Sequence, residues 1–434
     1  VKIVVVVLAL IYALYLYRKS LDFFSVYWIG IFILSFVIPK LSTQIDTYGY
    51  HVSPGSFQLL DTYYVYYILI YLYANIVTKK YLTRYTANGL LANVTGKEPF
   101  EFRQSVLVFA MFVLFAILLL AFRGLSGFTR GSSKAMQDGR EVLNFMVPTV
   151  LFGLVSASLL MLLLSPTSRL RILSFFFVVV SFFIGIVLTF ARRTIIYPFI
   201  AFVVYYMYLK RKKISVWILV MIAGILTLVV LPMMVSIRTF GVTEGIVAYI
   251  DNIFQNPRNA VTYLTMSTDF SWSYGMAAVV ITNNIRIPLI SLLRPFTMVI
   301  PRSIWSSKPL PPSLQLVHIL GLSSGDELSI PAGPVGEAFI YGGFICLVCF
   351  ALVWGVLTAM SDRKLEQHSM NNSSKVQLTP LMITLAGTQI IAGSLRGDTS
   401  TTLQETIIVV LPFVIVVLFV NFITRRLKSV LEKR

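Results

Sequence analysis

RPFTMVIPRSIWSSKPLPPSLQLVHILGLSSGDELSIPAGPVGEAFIYGG, residues Arg294–Gly343, is the one long stretch of this chain that does not read as lipid-embedded helix. It holds five prolines between Pro301 and Pro331, three cations (Arg294, Arg302 and Lys308) and one of the chain's three histidines, His318. It closes on Gly336-Glu337, where a new apolar run begins. Polar, proline-broken backbone inside so apolar a chain is tolerated only where protein or water satisfies it, so chemistry is expected here.

The surroundings of this stretch set the class. Of 434 residues, 57% are hydrophobic, 14% aromatic and 12% charged, with a mean hydropathy of +0.82. A soluble domain carries roughly 25% charge, so this composition reads as an all-α polytopic membrane protein. A spanning helix needs about 20 apolar residues. Eleven runs approach that length: 3–17, 22–39, 57–77, 105–122, 145–164, 172–190, 195–209, 214–235, 335–358, 378–394 and 402–422. Val1 opens directly into the first run, without a basic leader or a small-residue cleavage site, so that run is expected to stay as a helix. Val1 also fits a bacterial GTG start. No internal repeat is evident, which disfavours an inverted-repeat transporter. Three regions follow: an N-terminal transmembrane bundle of about eight helices over 1–235, a large extracytoplasmic loop over 236–334, and C-terminal transmembrane helices with a basic cytoplasmic tail over 335–434. Moderately apolar pieces of the loop, such as 276–290, predict short helices lying at the interface.

Lysine and arginine in short loops orient the chain. With the tail TRRLKSVLEKR in the cytoplasm, 21 of the 36 basic residues fall inside and 15 outside. Eleven of the outer cations are arginine and four lysine, against ten and eleven inside. Charge alone does not select arginine, but bidentate recognition of phosphate does, because guanidinium offers a planar fork of donors. An arginine-rich outer face therefore suggests an anionic, phosphate-bearing ligand there; contact with lipid headgroups is the plainer explanation.

Several motifs carry this reading. Arg192-Arg193 in FARRTIIYPF sits at the outer membrane border, as a phosphate clamp or as a snorkelling anchor pair. Arg396 in SLRGDTSTTLQET lies in a tight hairpin whose glycine and hydroxyls suit an anion, with Asp398 placed to orient it; a plain turn is the alternative. In PRSIWSSKP, Trp305 suits stacking on a sugar ring beside Lys308 and Arg302, or anchoring at the interface. Histidine is the side chain suited to proton transfer near neutral pH, so His318 is a candidate general base; Glu337 at a helix start is its rival, or a helix N-terminal acid favoured by the dipole. Asp61 in the tyrosine-rich DTYYVYYILIYLY suits a cation or proton, or simply reaches water. Cys346 and Cys349 lie in an apolar run with no second pair, and read as small apolar residues in a helix. Neither a Walker loop nor a metal-ligand spacing is present, so arginines would stabilise any leaving phosphate.

IPRSIWSSKPLPP, PAGPVGEAFIYGGF, FARR at 190–193, GFTRGSSKAMQDGRE with Arg130, and SLRGD together resemble the bacterial oligosaccharide repeat-unit polymerases, the Wzy-type O-antigen and capsule polymerases, which are related to O-antigen ligases. The resemblance covers most of the chain as layout and about 60 residues as motif. It implies a GT-C-like glycosyltransferase of the bacterial inner membrane, with its active site facing the periplasm. It would need no cofactor or metal and bind no nucleic acid. The donor would be a glycan on undecaprenyl pyrophosphate and the acceptor a lipid-linked repeat unit. A flippase and a chain-length regulator are the implied partners. Arg130, Arg192, Arg193, Arg302 and Arg396 would hold pyrophosphate, Trp305 and Lys308 the sugar, and His318 or Glu337 would act as base. An O-antigen ligase and a lipid-linked oligosaccharide flippase are the rival readings.

Overall fold

The computed structural model describes residues 2–20, 22–41, 45, 47–85, 100–123, 141–189, 193–210, 215, 233, 236, 242–255, 269–297, 304–305, 308–322, 329–371 and 377–431. Among these the chain is helical and contains no strand. The helices are α1 (Lys2–Ser20), α2 (Phe23–Leu41), α3 (Pro54–Tyr85), α4 (Phe102–Arg123), α5 (Glu141–Leu164), α6 (Ser168–Thr189), α7 (Arg193–Lys210), α8 (Val242–Gln255), α9 (Asp269–Thr282), α10 (Pro312–Ile319), α11 (Gly333–Asn371), α12 (Leu378–Arg396) and α13 (Thr399–Leu431).

Seven of them are long and apolar enough to cross a membrane: α2, α4, α5, α6, α11, α12 and α13. The protein is therefore a membrane-embedded helical protein. The sequence count of eleven is larger for identifiable reasons. The apolar part of α7, Ile196–Leu209, is shorter than the roughly 20 residues a span needs. Asp61 and the tyrosines dilute the apolar character of α3. The run 214–235 lies almost wholly outside the described residues.

The chain divides into two compact units. One comprises Val1–Val94, Ile214–Gln367 and Ile390–Gln404; the other comprises Thr95–Lys213, His368–Gln389 and Glu405–Arg434. In the second unit α4, α5, α6, α7 and most of α13 share a core of aliphatic side chains around Phe112, Phe152 and Phe413. Phe413 stacks on Phe112 with ring centroids 5.9 Å apart and meets Phe152 edge-on at 6.3 Å. Pro412 interrupts α13 and has no N–H for the carbonyl of Ile408, one turn earlier. Thr149 of α5 donates its hydroxyl to that carbonyl at 3.1 Å. A neighbouring hydroxyl thus restores the bond that proline removes, as apolar surroundings require.

The first unit is organised by aromatic rings. Trp28, Phe32 and Phe36 recur every four residues on α2, and Tyr64, Tyr67 and Tyr71 share a face of α3. Trp28 stacks on Tyr71 with centroids 3.7 Å apart and on Phe32 at 4.9 Å; Phe32 in turn meets Tyr64 and Tyr67, each at 5.3 Å. The tyrosines of DTYYVYYILIYLY that face α2 are thus packing residues. The stretch 276–290, expected at the interface, begins inside α9, where Met276–Val280 are fully buried, and ends on the exposed Leu289 and Ile290. The C-terminal half of α9, MAAVVI, carries no polar side chain to offer water, so it goes inside.

Candidate functional site

Two of the sequence's polar motifs meet in the first unit. α13 begins at Thr399, immediately after the SLRGD hairpin. Its first N–H groups lack intrahelical partners, as at any helix start. Two carboxylates supply them. Glu337, 1% exposed, accepts the Thr399 N–H at 2.7 Å with one oxygen and the Thr399 hydroxyl at 2.7 Å with the other. Asp398 caps the helix in the usual local way, taking the Thr401 N–H at 3.3 Å, while its other oxygen accepts the Ser313 hydroxyl at 2.5 Å. Ser313 sits at the start of α10, the short helix that carries His318, and receives the Ser329 hydroxyl at 2.7 Å.

Backbone contact tightens the same junction. Gly397 has φ +95°, a left-handed conformation that glycine adopts without steric cost. A Cβ there would collide with the backbone of Gly333, at the first turn of α11. The PAGPVGE and SLRGD segments are therefore pressed together at glycine. Arg396 ends α12, half-buried, with its carbonyl accepting the Ser273 hydroxyl of α9 at 3.2 Å. Arg294, in a single helical turn at Arg294–Thr297, donates to the Thr401 hydroxyl at 3.3 Å. One locus thus gathers Glu337, Asp398, Ser313, Thr399 and two guanidinium-bearing residues.

The expected residues are distributed as follows. Glu337 and Arg396 belong to this junction, and His318 is half-buried on α10, five residues beyond Ser313. Trp305 and Lys308 form a turn of their own, the Lys308 N–H bonding the Trp305 carbonyl at 3.2 Å, and both are half-buried. Arg130, Arg192 and Arg302 lie outside the described residues, as does the side chain of Arg193, whose backbone opens α7. Among the described residues no cluster of histidine, cysteine, aspartate or glutamate could hold a metal ion. The sequence reading missed Ser313, Thr399 and Arg294 as members of the site. Asp398 carried one detectable signal, an aspartate followed by an apolar periodic run, which marks a helix N-cap.

Two further ionic clusters frame the unit. Asp61 of α3 accepts Lys40 at 2.7 Å on both oxygens, Lys2 at 3.3 Å and the Tyr274 hydroxyl at 2.5 Å. It ties three helix ends together. Whereas Glu337 lies before the Gly342-Gly343 break of α11, Asp362 lies beyond it. It accepts the Phe24 N–H at 2.7 Å and the Ser25 N–H at 3.1 Å, together with the Ser25 hydroxyl at 2.6 Å. Lys79, paired with Asp22 at 2.7 Å, stands 3.5 Å from it. Both clusters cap or bridge helix ends, which accounts for their charge. In comparisons with protein-family models, curated proteins and solved structures, nothing matches this chain significantly.

Proposed function

We propose that this membrane protein polymerises undecaprenyl-pyrophosphate-linked oligosaccharide repeat units into a surface polysaccharide. The observation that carries the reading is the junction just described, where segments 311–319, 329–337 and 394–402 converge on two buried carboxylates at one end of a membrane helix. Charge-bearing side chains are costly in an apolar bundle, and Glu337, Asp398, Arg294 and Arg396 occur together at this one place.

In the proposed reaction an acceptor hydroxyl gives its proton to a base and attacks the anomeric carbon of the donor glycan. The carbon–oxygen bond to pyrophosphate breaks, and the pyrophosphate departs on its lipid. His318 is assigned as the base because both oxygens of Glu337, its rival, are engaged by Thr399. Arg396 is assigned to the departing pyrophosphate, where a guanidinium fork matches phosphate geometry. Trp305 and Lys308 are assigned to the sugar. Eleven spans, a GT-C-like arrangement and a periplasm-facing site in the inner membrane belong to the same proposal, with a flippase and a chain-length regulator as partners.

The test is glycan gel analysis of a deletion strain complemented with wild type or His318→Ala. Single-repeat glycan in the deletion, and a ladder restored by wild type but not by His318→Ala at equal membrane abundance, is the expected result. An unaltered ladder in the deletion, or complete loss of surface glycan, would remove the polymerase reading; complete loss would point to a flippase or ligase.

A further inference from the structure

α11 is not one helix. Its backbone breaks at Gly342 (φ 177°, ψ 28°) and Gly343 (φ 63°, ψ −142°), leaving a half-helix of residues 333–341 that carries Glu337. The break strands the last carbonyls of the first half, which then need partners from elsewhere. Here the segment after α9 satisfies two of them. The Ile287 N–H bonds the Ile340 carbonyl at 2.9 Å, and the Arg286 guanidinium donates to the Phe339 carbonyl. The same guanidinium lies over the Phe339 ring, 4.3 Å from its centroid. Its positive charge also faces the negative end of the half-helix dipole. Gly343 completes the fit: a Cβ there would stand 2.9 Å from an Arg286 nitrogen, in a left-handed conformation that only glycine holds without strain.

We infer that Arg286 is a positioning residue for the Glu337 site, acting as the C-terminal cap of the half-helix 333–341. Through Glu337 and its bonds to Thr399, and through the Gly333–Gly397 contact, that half-helix sets the start of α13. Through Asp398 and Ser313 the start of α13 in turn holds α10 and His318. Arg286 touches neither group; it fixes the element on which both depend. The activity part of this inference rests on the polymerase reading. The positional part does not.

The experiment introduces Ala338→Cys, a fully buried position on the half-helix, into the full-length chain with Cys346 and Cys349 replaced by alanine. N-ethylmaleimide labelling is then measured in native membranes for three further variants. Arg286→Ala is expected to raise the labelling rate roughly tenfold or more, the scale of losing a charged hydrogen bond. Gly343→Ala is expected to do the same, because its Cβ displaces the guanidinium. Arg286→Lys should fall between, since lysine keeps the charge but loses the planar face on Phe339. The glycan ladder should shorten in the same order at equal membrane abundance. Labelling unchanged in Arg286→Ala, or Arg286→Lys as loose as Arg286→Ala, would overturn the inference, whatever the ladder does. Labelling that rises in this order in a protein whose deletion leaves the ladder intact would uphold the half-helix cap and remove the polymerase reading instead.

Discussion

Glu337 separates holding from reacting, because its two simplest substitutions have opposite consequences under the two roles. Glu337→Ala strands the Thr399 N–H and hydroxyl, both in a position 9% exposed. Each buried donor left without a partner costs about 1–3 kcal/mol. The hydroxyl can rotate toward another acceptor, whereas the N–H cannot. The expected loss is therefore about 2–5 kcal/mol. Glu337→Gln behaves differently. Its carbonyl oxygen still accepts the Thr399 N–H, and its amide donates to the Thr399 hydroxyl, which reverses its role from donor to acceptor. Both bonds persist in altered form, at a cost of about 0.5–1.5 kcal/mol in all. The assay is unfolding of the purified full-length chain in mixed micelles as the denaturing detergent fraction rises, alongside the glycan ladder in the complemented deletion strain. Alanine should unfold markedly earlier than wild type and glutamine only slightly earlier, with the glutamine ladder retained. Equal destabilisation by both would refute the reversed hydrogen bond. A glutamine variant that stays folded but makes no polymer would make Glu337 the base and displace His318.

Other consequences follow from the helix ends. Asp362→Ala removes the acceptor of two N–H groups and the Ser25 hydroxyl, and deprives Lys79 of a neighbouring charge, so the same unfolding assay should show a loss of about 3–5 kcal/mol. No such loss would mean that water replaces the carboxylate at the start of α2. Thr149→Val keeps the shape but leaves the Ile408 carbonyl without a hydroxyl beside Pro412, and should cost about 1 kcal/mol. In a Thr149→Val, Pro412→Ala double variant that cost should largely vanish, because the alanine N–H restores the bond within α13; an undiminished cost would refute the pairing of the two residues.

Much of the architecture was legible from composition and periodicity. Long apolar runs must become helices in lipid, since only a helix satisfies its own backbone there. That reasoning located α2, α4, α5, α6, α11, α12 and α13 from their residues alone. The remaining runs of the eleven, such as those at α7 and α3, are shorter or more polar than these seven, and the run 214–235 lies almost wholly outside the described residues. Of the stretch 276–290, expected at an interface, the structure buries Met276–Ile281 and leaves Leu289 and Ile290 exposed.

Residue type singled out Glu337, Arg396 and His318 through their rarity in an apolar chain. It could not reveal that Glu337 binds Thr399, 62 residues away, or that Asp398 binds Ser313, 85 residues away. Those pairings depend on which helix starts lie side by side. Nor does the doublet Gly342-Gly343 by itself specify a broken helix. Glycine makes a break affordable in conformational terms, but only Arg286 and Ile287, brought from a different segment, satisfy the carbonyls that the break exposes. The sequence by itself determined that this chain is a helical membrane protein with a polar, arginine-bearing segment, since hydrophobic burial depends on composition along the chain. Tertiary structure alone decided which polar groups share a site, because every lone pair and N–H buried in hydrocarbon must find a partner, and that partner is chosen by packing in three dimensions.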